Sequence, residues 1–341
     1  MADPIKVMIA GVGGASLGTE IRKSLSLAGG YDIYGCDVSR TAYGLYEKEF
    51  SNTWYVSRDD YVQSVLRACL ECEAGILIPG GEQPMVLLGD AHGTFADAGI
   101  RLLSNTPEVI SLNSDKNKTF QLLAECGISI PRTVALNNKR DLEQIGQPCI
   151  VKPATGSGGS AGVFFALNVD EAMVYADFIR KSGSQPVAQE YIDDREGEFT
   201  IGVLSLPNGR VAGSIALRRT FDAKLSVAYR GRGGLISSGY SQGYIGEYSE
   251  LCRQAEEIAK SIGSRGPLNI QGRVCDGTLL PFEINPRFSA STFLRAMAGF
   301  NEIDILIKYL ASGQEPTPKT IRTGWYLRSL SEQYIPSEDL K

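Results

Sequence analysis

The sequence predicts an α/β protein of more than one unit, with a parallel-sheet N-terminal part and an α+β C-terminal part. Three observations carry that reading. Short apolar runs alternate with helical patterns over roughly the first 107 residues, as strands and crossover helices do. From about residue 148 the strand patterns follow one another directly, as in an antiparallel meander. The length, 341 residues, also exceeds what one hydrophobic core ordinarily organises.

Residues 5–10 (IKVMIA) read as a buried strand, GVGGASLG as a tight turn, and 19–28 as the helix that follows. YDIYGCD, ending at Asp37, is a second strand, and AGILIPG (74–80) and IRLLS (100–104) supply two more. Parallel strands need right-handed helical crossovers, so residues 1–107 are predicted to form a Rossmann-like domain. A helix over 114–127 opens the next unit, and SIPRTVAL begins its strands. PCIVKPA (148–154) runs into the glycine loop TGSGGSAGV; PVAQEYI (186–192), EGEFTIGVLSL (196–206) and RVAGSIALRRT (210–220) are further strands. A helix at about 247–262, a hairpin of PLNIQGRVCDG and TLLPFEINPRF, and a helix near 301–312 complete the pattern. The predicted units are 1–107, 108–190, 191–320 and a peripheral tail, 321–341.

Composition narrows the function. A net charge of −5 offers no basic face for a nucleic-acid backbone, so no nucleic acid is expected as a partner. No apolar run approaches the ~20 residues of a membrane span, and the opening MADPIKVMIAGVGG lacks a signal-peptide pattern. Seven scattered cysteines, with Cys36, Cys126, Cys149 and Cys275 in apolar segments, point to buried thiols in a reducing cytoplasm. Cys69 and Cys72 form a CxxC in a helical stretch, without the second pair a zinc site would need. The single histidine, His92 in the loop GDAHGTF, excludes multi-histidine zinc sites, and no nucleophile elbow accompanies it. Catalysis must then rest on carboxylates, lysines, positioning and charge neutralisation.

Two glycine loops differ in content. GVGGASLG after a strand, with Asp37 ending the next, invites a dinucleotide reading and hence an NAD-dependent oxidoreductase. Its spacing is not a clean GxGxxG, and a tight turn holding a substrate carboxylate or phosphate fits as well. In TGSGGSAGV, glycines let successive amides face one anion, and Lys152 on the preceding strand supplies a point charge for phosphate. No GK[ST] closes that loop, so it is not a Walker A element.

The segment PFEINPRFSAST (281–292) is the most specific. Alternate residues of a strand share a face, so Glu283, Asn285 and Arg287 project together. A carboxylate and a carboxamide two apart are hard oxygen ligands suited to magnesium, and an arginine beyond them can hold a phosphoryl oxygen. On the partner strand Ile270, Gly272 and Val274 share one face, leaving Gln271 and Arg273 on the other, where Gln271 can reach the same metal.

With these motifs in this order, the chain resembles the ATP-grasp superfamily, in particular its carbamoyl-phosphate synthetase large-chain-like members, from about residue 5 to 312. The resemblance implies a two-lobed ATP-grasp domain after the Rossmann-like one. It implies ATP and Mg²⁺ as cofactors, in one or two ions with Mn²⁺ able to substitute. In SDKNKTFQLLAECGI the basic nucleotide contact falls on Lys116; in IVKPATGSGGSAGV the phosphate contacts fall on Lys152, Ser157, Gly158 and Gly159. QEYI is similar to the adenine hinge, with Glu190 accepting from the exocyclic amine and Tyr191 and Ile192 giving backbone contacts. Glu198 falls at the ribose-binding acid, and QGRVCDGTLLPFEINPRF resembles the magnesium hairpin, with Gln271, Glu283 and Asn285 as ligands and Arg287 on the transferring phosphate. Many relatives carry an acid at the position of Gln271, which puts less negative charge on the metal here.

The implied activity is that of a cytoplasmic, stand-alone carboxylate-amine ligase that forms an acyl phosphate and releases ADP and phosphate. Its partners are small-molecule carboxylate and amine substrates, with a homodimer as a possible assembly. Arg295 is the expected contact for the acceptor's carboxylate, and Arg218, Arg219, Lys224, Arg230 and Arg232 form a cationic stretch of which some members meet phosphate or substrate. Alternatives are the NAD-dependent oxidoreductase, an ATP-binding carboxylase or phosphotransferase, and a non-catalytic regulatory subunit of the same fold.

Overall fold

The computed structural model describes residues 3–14, 17–154, 162–231, 234–317 and 320–341. Strands β1 (Ile5–Ala10), β2 (Tyr31–Asp37), β3 (Asn52–Tyr55), β4 (Ile76–Pro79) and β5 (Arg101–Leu102) form a wholly parallel sheet in the order β3-β2-β1-β4-β5. Successive residues of β1 feed two cores. Val7 and Ile9 pack with Leu17, Ile21 and Leu25 of α1 (Leu17–Ala28), while Met8 and Ala10 meet Val65 and Cys69 of α2 (Tyr61–Glu71). A strand covered on both faces has no polar alternation, which is why IKVMIA is nearly all apolar.

The region expected as the loop around His92 is instead two helices, α3 (Glu82–Asp90) and α4 (His92–Asp97), with His92 opening the second. The helix expected over 114–127 is α6 (Lys116–Glu125), and a separate helix, α5 (Pro107–Ser114), precedes it. Asp115 divides them: its side chain accepts from the amides of Asn117 and Lys118 and caps α6. Four of the cysteines (Cys36, Cys69, Cys72 and Cys149) are buried, but Cys126 and Cys275, expected inside, are exposed.

A second, antiparallel sheet of β6 (Thr133–Ala135), β7 (Cys149–Pro153), β8 (Phe164–Ala166) and β9 (Pro186–Glu190) has the order β6-β9-β7-β8. One face packs Cys149, Val151 and Ala188 against Ala172, Ala176 and Ile179 of α7 (Val169–Lys181), a helix the sequence reading passed over. The other face carries Ile150, Lys152 and Gln189 and is left for the cleft.

The third sheet contains β10 (Glu198–Ser205), β11 (Val211–Arg219), β14 (Gly243–Ile245), β15 (Pro267–Cys275), β16 (Thr278–Asn285) and β17 (Gly324–Tyr326) in the order β16-β15-β10-β11-β14-β17. Beside it lies the hairpin of β12 (Val227–Gly231) and β13 (Gly234–Ser237). Phe199, Ile201, Val203, Ile270 and Val274 cover one face against α8 (Ser249–Ile262). On the other face, the end holding Leu204, Ile215 and Leu217 packs with α9 (Thr292–Met297), α10 (Glu302–Ser312) and the N-terminal unit. Tyr31 donates to Asp304 at 2.7 Å and Asn301 to the Ser24 carbonyl at 2.7 Å across that junction.

The tail 321–341 is not peripheral, contrary to expectation. β17 adds the last strand to the large sheet, Tyr326 enters its core, and Arg328 forms a buried ion pair with Glu20 at 3.0 Å. Short segments of this kind lack the periodic length that identifies a strand in sequence.

Candidate active site

The small sheet and the large sheet face each other across a cleft closed on one side by the β12–β13 hairpin. Lys116, Lys152, Glu190, Tyr191, Ile192, Glu198 and Glu283 all line it, together with Gln189, Arg273 and Phe282. Residues separated by up to 167 positions thus meet because the two sheets, the start of α6 and the segment that follows β9 border one space. The positions Ser157, Gly158, Gly159 and Arg232 lie outside the described residues.

On β7, Lys152 is 5% exposed and donates to Gln189 at 2.9 Å and to the Phe282 carbonyl at 3.4 Å. Burial pushes its pKa down to about 7; Lys116 adds to the depression and Glu283 opposes it. Gln189 sits opposite Ile150 on the neighbouring strand and is held by Thr133 at 2.9 Å, which orients the lysine. It was missed from the sequence, although strand alternation with Lys152 was the available signal.

The large sheet supplies the hairpin. Gln271 faces Glu283 across β15 and β16, and a β-bulge next to this pair brings both Phe282 and Glu283 to the cleft, where successive residues would otherwise point to opposite faces. Gln271 accepts from Arg219 Nη1 at 3.4 Å, and Asn285 Oδ1 lies 3.5 Å from Arg287 Nη2. Burial lowers the pKa of both Arg219 and Arg287, and Glu283 acts on each as a counter-charge. Three donors here are sealed from solvent and have no acceptor among the described residues: Arg219 Nε, Asn285 Nδ2 and Arg287 Nε. Buried donors left unmade are costly, and Glu283 is the carboxylate whose charge acts on both of these guanidiniums. For a divalent cation, the donors are one carboxylate and two carboxamide oxygens. These hard oxygens fit magnesium when phosphate oxygens complete the shell. Among the described residues no group of three or more acidic, histidine or cysteine side chains that could hold a metal ion gathers, at this hairpin or anywhere else.

Two of the expected contact residues have partners within the protein. Glu198, expected to bind ribose, is 1% exposed and accepts from Arg219 Nη1 at 3.0 Å and Arg273 Nε at 2.9 Å. It is the centre of a buried ion triad, and its carboxylate is committed to two guanidiniums. Arg295, expected to meet the acceptor, is fully buried beneath the sheet, donating to Asn269 at 2.5 Å and Thr200 at 3.1 Å and pairing with Glu302 at 3.4 Å. Gly202 leaves room for it; a Cβ there would lie 2.3 Å from Arg295 Nη1. Arg295 is among the buried residues of α9.

The hinge is held in other ways than expected. Glu190 is paired with Arg132 at 2.9 Å, and that hydrogen bond holds its carboxyl below the usual range. Tyr191 accepts from the Leu235 amide at 3.0 Å and stacks 5.0 Å from the Arg273 guanidinium, tying the β12–β13 hairpin to β9. The Ile192 carbonyl accepts from Arg273 at 2.6 Å. Asp37, the residue behind the dinucleotide alternative, accepts from the amides of Val12 and Ser39 at 2.8 and 2.9 Å and organises its own turn.

A family model of the ATP-grasp domain matches residues 113–291, just over half of the chain. The chain belongs to the ATP-grasp family. The match takes in every strand of the two cleft-forming sheets except β17. The carbamoyl phosphate synthase large chain of Pasteurella multocida is 25% identical over 222 residues, which are 62% of this chain and 19% of that one. This ATP-grasp chain thus spans about a fifth of the length of the curated relatives it matches. Two solved structures share the fold. The biotin carboxylase domain dimer of Hydrogenobacter thermophilus 2-oxoglutarate carboxylase, with MgADP, ADP and bicarbonate, has a TM-score of 0.68 at 18% identity and covers 95% of this chain and 73% of that one. The ATP complex of D-alanine–D-alanine ligase from Bacillus anthracis has a TM-score of 0.60 at 17% identity, covering 90% and 97%.

Proposed function

We propose that this ATP-grasp protein is an ATP-dependent ligase, which activates a carboxylate as an acyl phosphate and passes the acyl group to an amine, releasing ADP and phosphate. The observation that carries the reading is the cleft in which Lys116, Lys152 and Glu283 border one space, within the stretch that the ATP-grasp model matches. Adenine lies along the hinge at Glu190, Tyr191 and Ile192, and Lys116 and Lys152 meet the phosphates. Gln271, Glu283 and Asn285 hold magnesium, for which manganese can substitute; when bound, the ion offsets phosphate charge during transfer. Arg287 and Asn285 orient the transferring phosphoryl group, and Arg219 adds positive charge from across the sheet. Ser157, Gly158 and Gly159 belong to the flap over the phosphates. The N-terminal unit is read as Rossmann-like, and a homodimer is read by analogy with the biotin carboxylase domain dimer.

The cleft, ≈ 90 Å³ in volume, is open to solvent on one side, and lobes that border such a cleft commonly move as a ligand enters. The test is ADP release from MgATP, screened against carboxylates paired with amines. A pair that stimulates release in the wild type, with no stimulation in Glu283→Ala, supports the reading. A Glu283→Ala enzyme that keeps the wild-type rate refutes it.

A further inference from the structure

Arg273 on β15 lines the cleft, is 5% exposed, and sends each arm of its guanidinium to a different element. Nε donates to Glu198 on β10 at 2.9 Å, Nη1 to the Ile192 carbonyl just past β9 at 2.6 Å, and Nη2 to the Leu235 carbonyl on β13 at 2.8 Å. The Tyr191 ring lies 5.0 Å from the same guanidinium. The large sheet, the end of the small sheet and the separate β12–β13 hairpin are therefore joined at one side chain. Arginine suits this post because its planar fork aims several donors in fixed directions, whereas a lysine ammonium is a single point.

The two carbonyls belong to the cleft wall. Ile192 and Leu235 both line the space, with Ile236 beside Leu235 and Ile150 on β7. Ile192 sits in a connecting segment and Leu235 in a two-stranded hairpin, a unit that is marginal when it stands alone. Their separation is set by side chains. Leu235 is 7% exposed and is held at both ends of its peptide unit, its amide by the Tyr191 hydroxyl at 3.0 Å and its carbonyl by Arg273. Glu198 fixes Arg273 in turn and accepts from Arg219 with its other oxygen. Arg219 Nη2 donates to the Ser238 and Tyr240 carbonyls at 2.6 and 3.1 Å, just beyond β13. The two arginines of the ion triad thus hold the hairpin at both ends of that strand.

We infer that Arg273 is a positioning residue for the nucleotide: it presets the hinge and hairpin walls between which the base enters, and it serves affinity rather than phosphoryl transfer. Walls fixed beforehand need no ordering when the ligand arrives, which is how preorganisation tightens binding. The inference rests on the reading of the cleft as an ATP site.

The test is calorimetric titration of MgATP into the full chain and two variants. Arg273→Lys keeps a positive charge against Glu198 but cannot serve both carbonyls, and should weaken MgATP about fivefold or more. Tyr191→Phe keeps the ring over Arg273, removes only the bond to the Leu235 amide, and should weaken MgATP about threefold. Amide exchange read by mass spectrometry should quicken in Arg273→Lys across 190–192 and 234–237 and keep its wild-type rate across β16. An arginine with a merely structural role would lower the melting temperature and leave the affinity of the folded protein unchanged. Wild-type MgATP affinity in Arg273→Lys therefore overturns the inference, as does exchange that quickens equally across β16. Should Arg273→Lys not fold, wild-type affinity in Tyr191→Phe overturns it. MgATP that fails to bind the wild type sinks the ATP-site reading itself, whereas unaltered variants sink only the role of Arg273.

Discussion

Replacing Lys152 by methionine should make the free protein more stable and its nucleotide site weaker. The lysine is 5% exposed, and burial moves its pKa from 10.5 to about 7. At about 1.4 kcal/mol per pH unit, holding the ammonium in the fold costs about 4–5 kcal/mol. Methionine removes that cost but also removes the bonds to Gln189 and the Phe282 carbonyl, each worth about 1 kcal/mol. A net gain of about 2–3 kcal/mol follows at neutral pH. The sign is fixed by the direction of the displacement. The unfolded chain holds the proton up to about 10.5 and the fold gives it up near 7, so the penalty is complete below pH 7 and fades as pH climbs toward 10.5. Urea unfolding from pH 6 to 10 should show the two proteins converging at the alkaline end. MgATP affinity in the variant should fall by about tenfold or more, since a charge-assisted phosphate contact is lost. A variant less stable than wild type at pH 7, or one with unaltered MgATP affinity, would refute the reasoning.

Further outcomes follow from the same geometry. MgATP binding at pH 8 should be accompanied by proton uptake, because phosphate favours the charged form of Lys152; calorimetry in buffers of different ionisation enthalpy reads it directly. Glu283→Gln should reduce turnover by at least a hundredfold with an unchanged melting temperature, measured by ADP release. Glu198→Gln leaves the Arg219 and Arg273 guanidiniums short of their counter-charge and should cost about 3–5 kcal/mol in urea unfolding. Gly202→Ala drives a methyl group into Arg295 and should cost about 1–3 kcal/mol, while Arg295→Lys should leave the KM of any amine substrate unaltered once it folds.

The parallel sheet and the hairpin were readable because each rests on a local rule. IKVMIA is apolar throughout because both its faces are covered, and PFEINPRF keeps its polar residues in step along one face. Helix α7 was equally readable, with Asn168 capping it through the Glu171 amide and Ala172, Ala176 and Ile179 spaced along one side, yet the neighbouring strands dominated the reading. Other features have no local signature. The sequence puts Glu198 one strand and many residues from Arg219 and Arg273, so their ion triad appears only when β10, β11 and β15 lie side by side. The same holds for Arg295: its distance along the chain from Asn285 matched a substrate contact, but the rotation of α9 turned it toward Asn269 and Thr200. β17 was lost because three residues carry no periodicity; its pairing with β14 comes from tertiary contact alone.

The most direct measurement is a crystal structure of the full chain with magnesium and a non-hydrolysable ATP analogue. The β- and γ-phosphate oxygens should lie within hydrogen-bonding distance of Lys152 Nζ, Arg287 Nε and Asn285 Nδ2, with Glu283 and Gln271 on the metal. A nucleotide bound elsewhere, or phosphates that leave those donors without acceptors, would contradict the account.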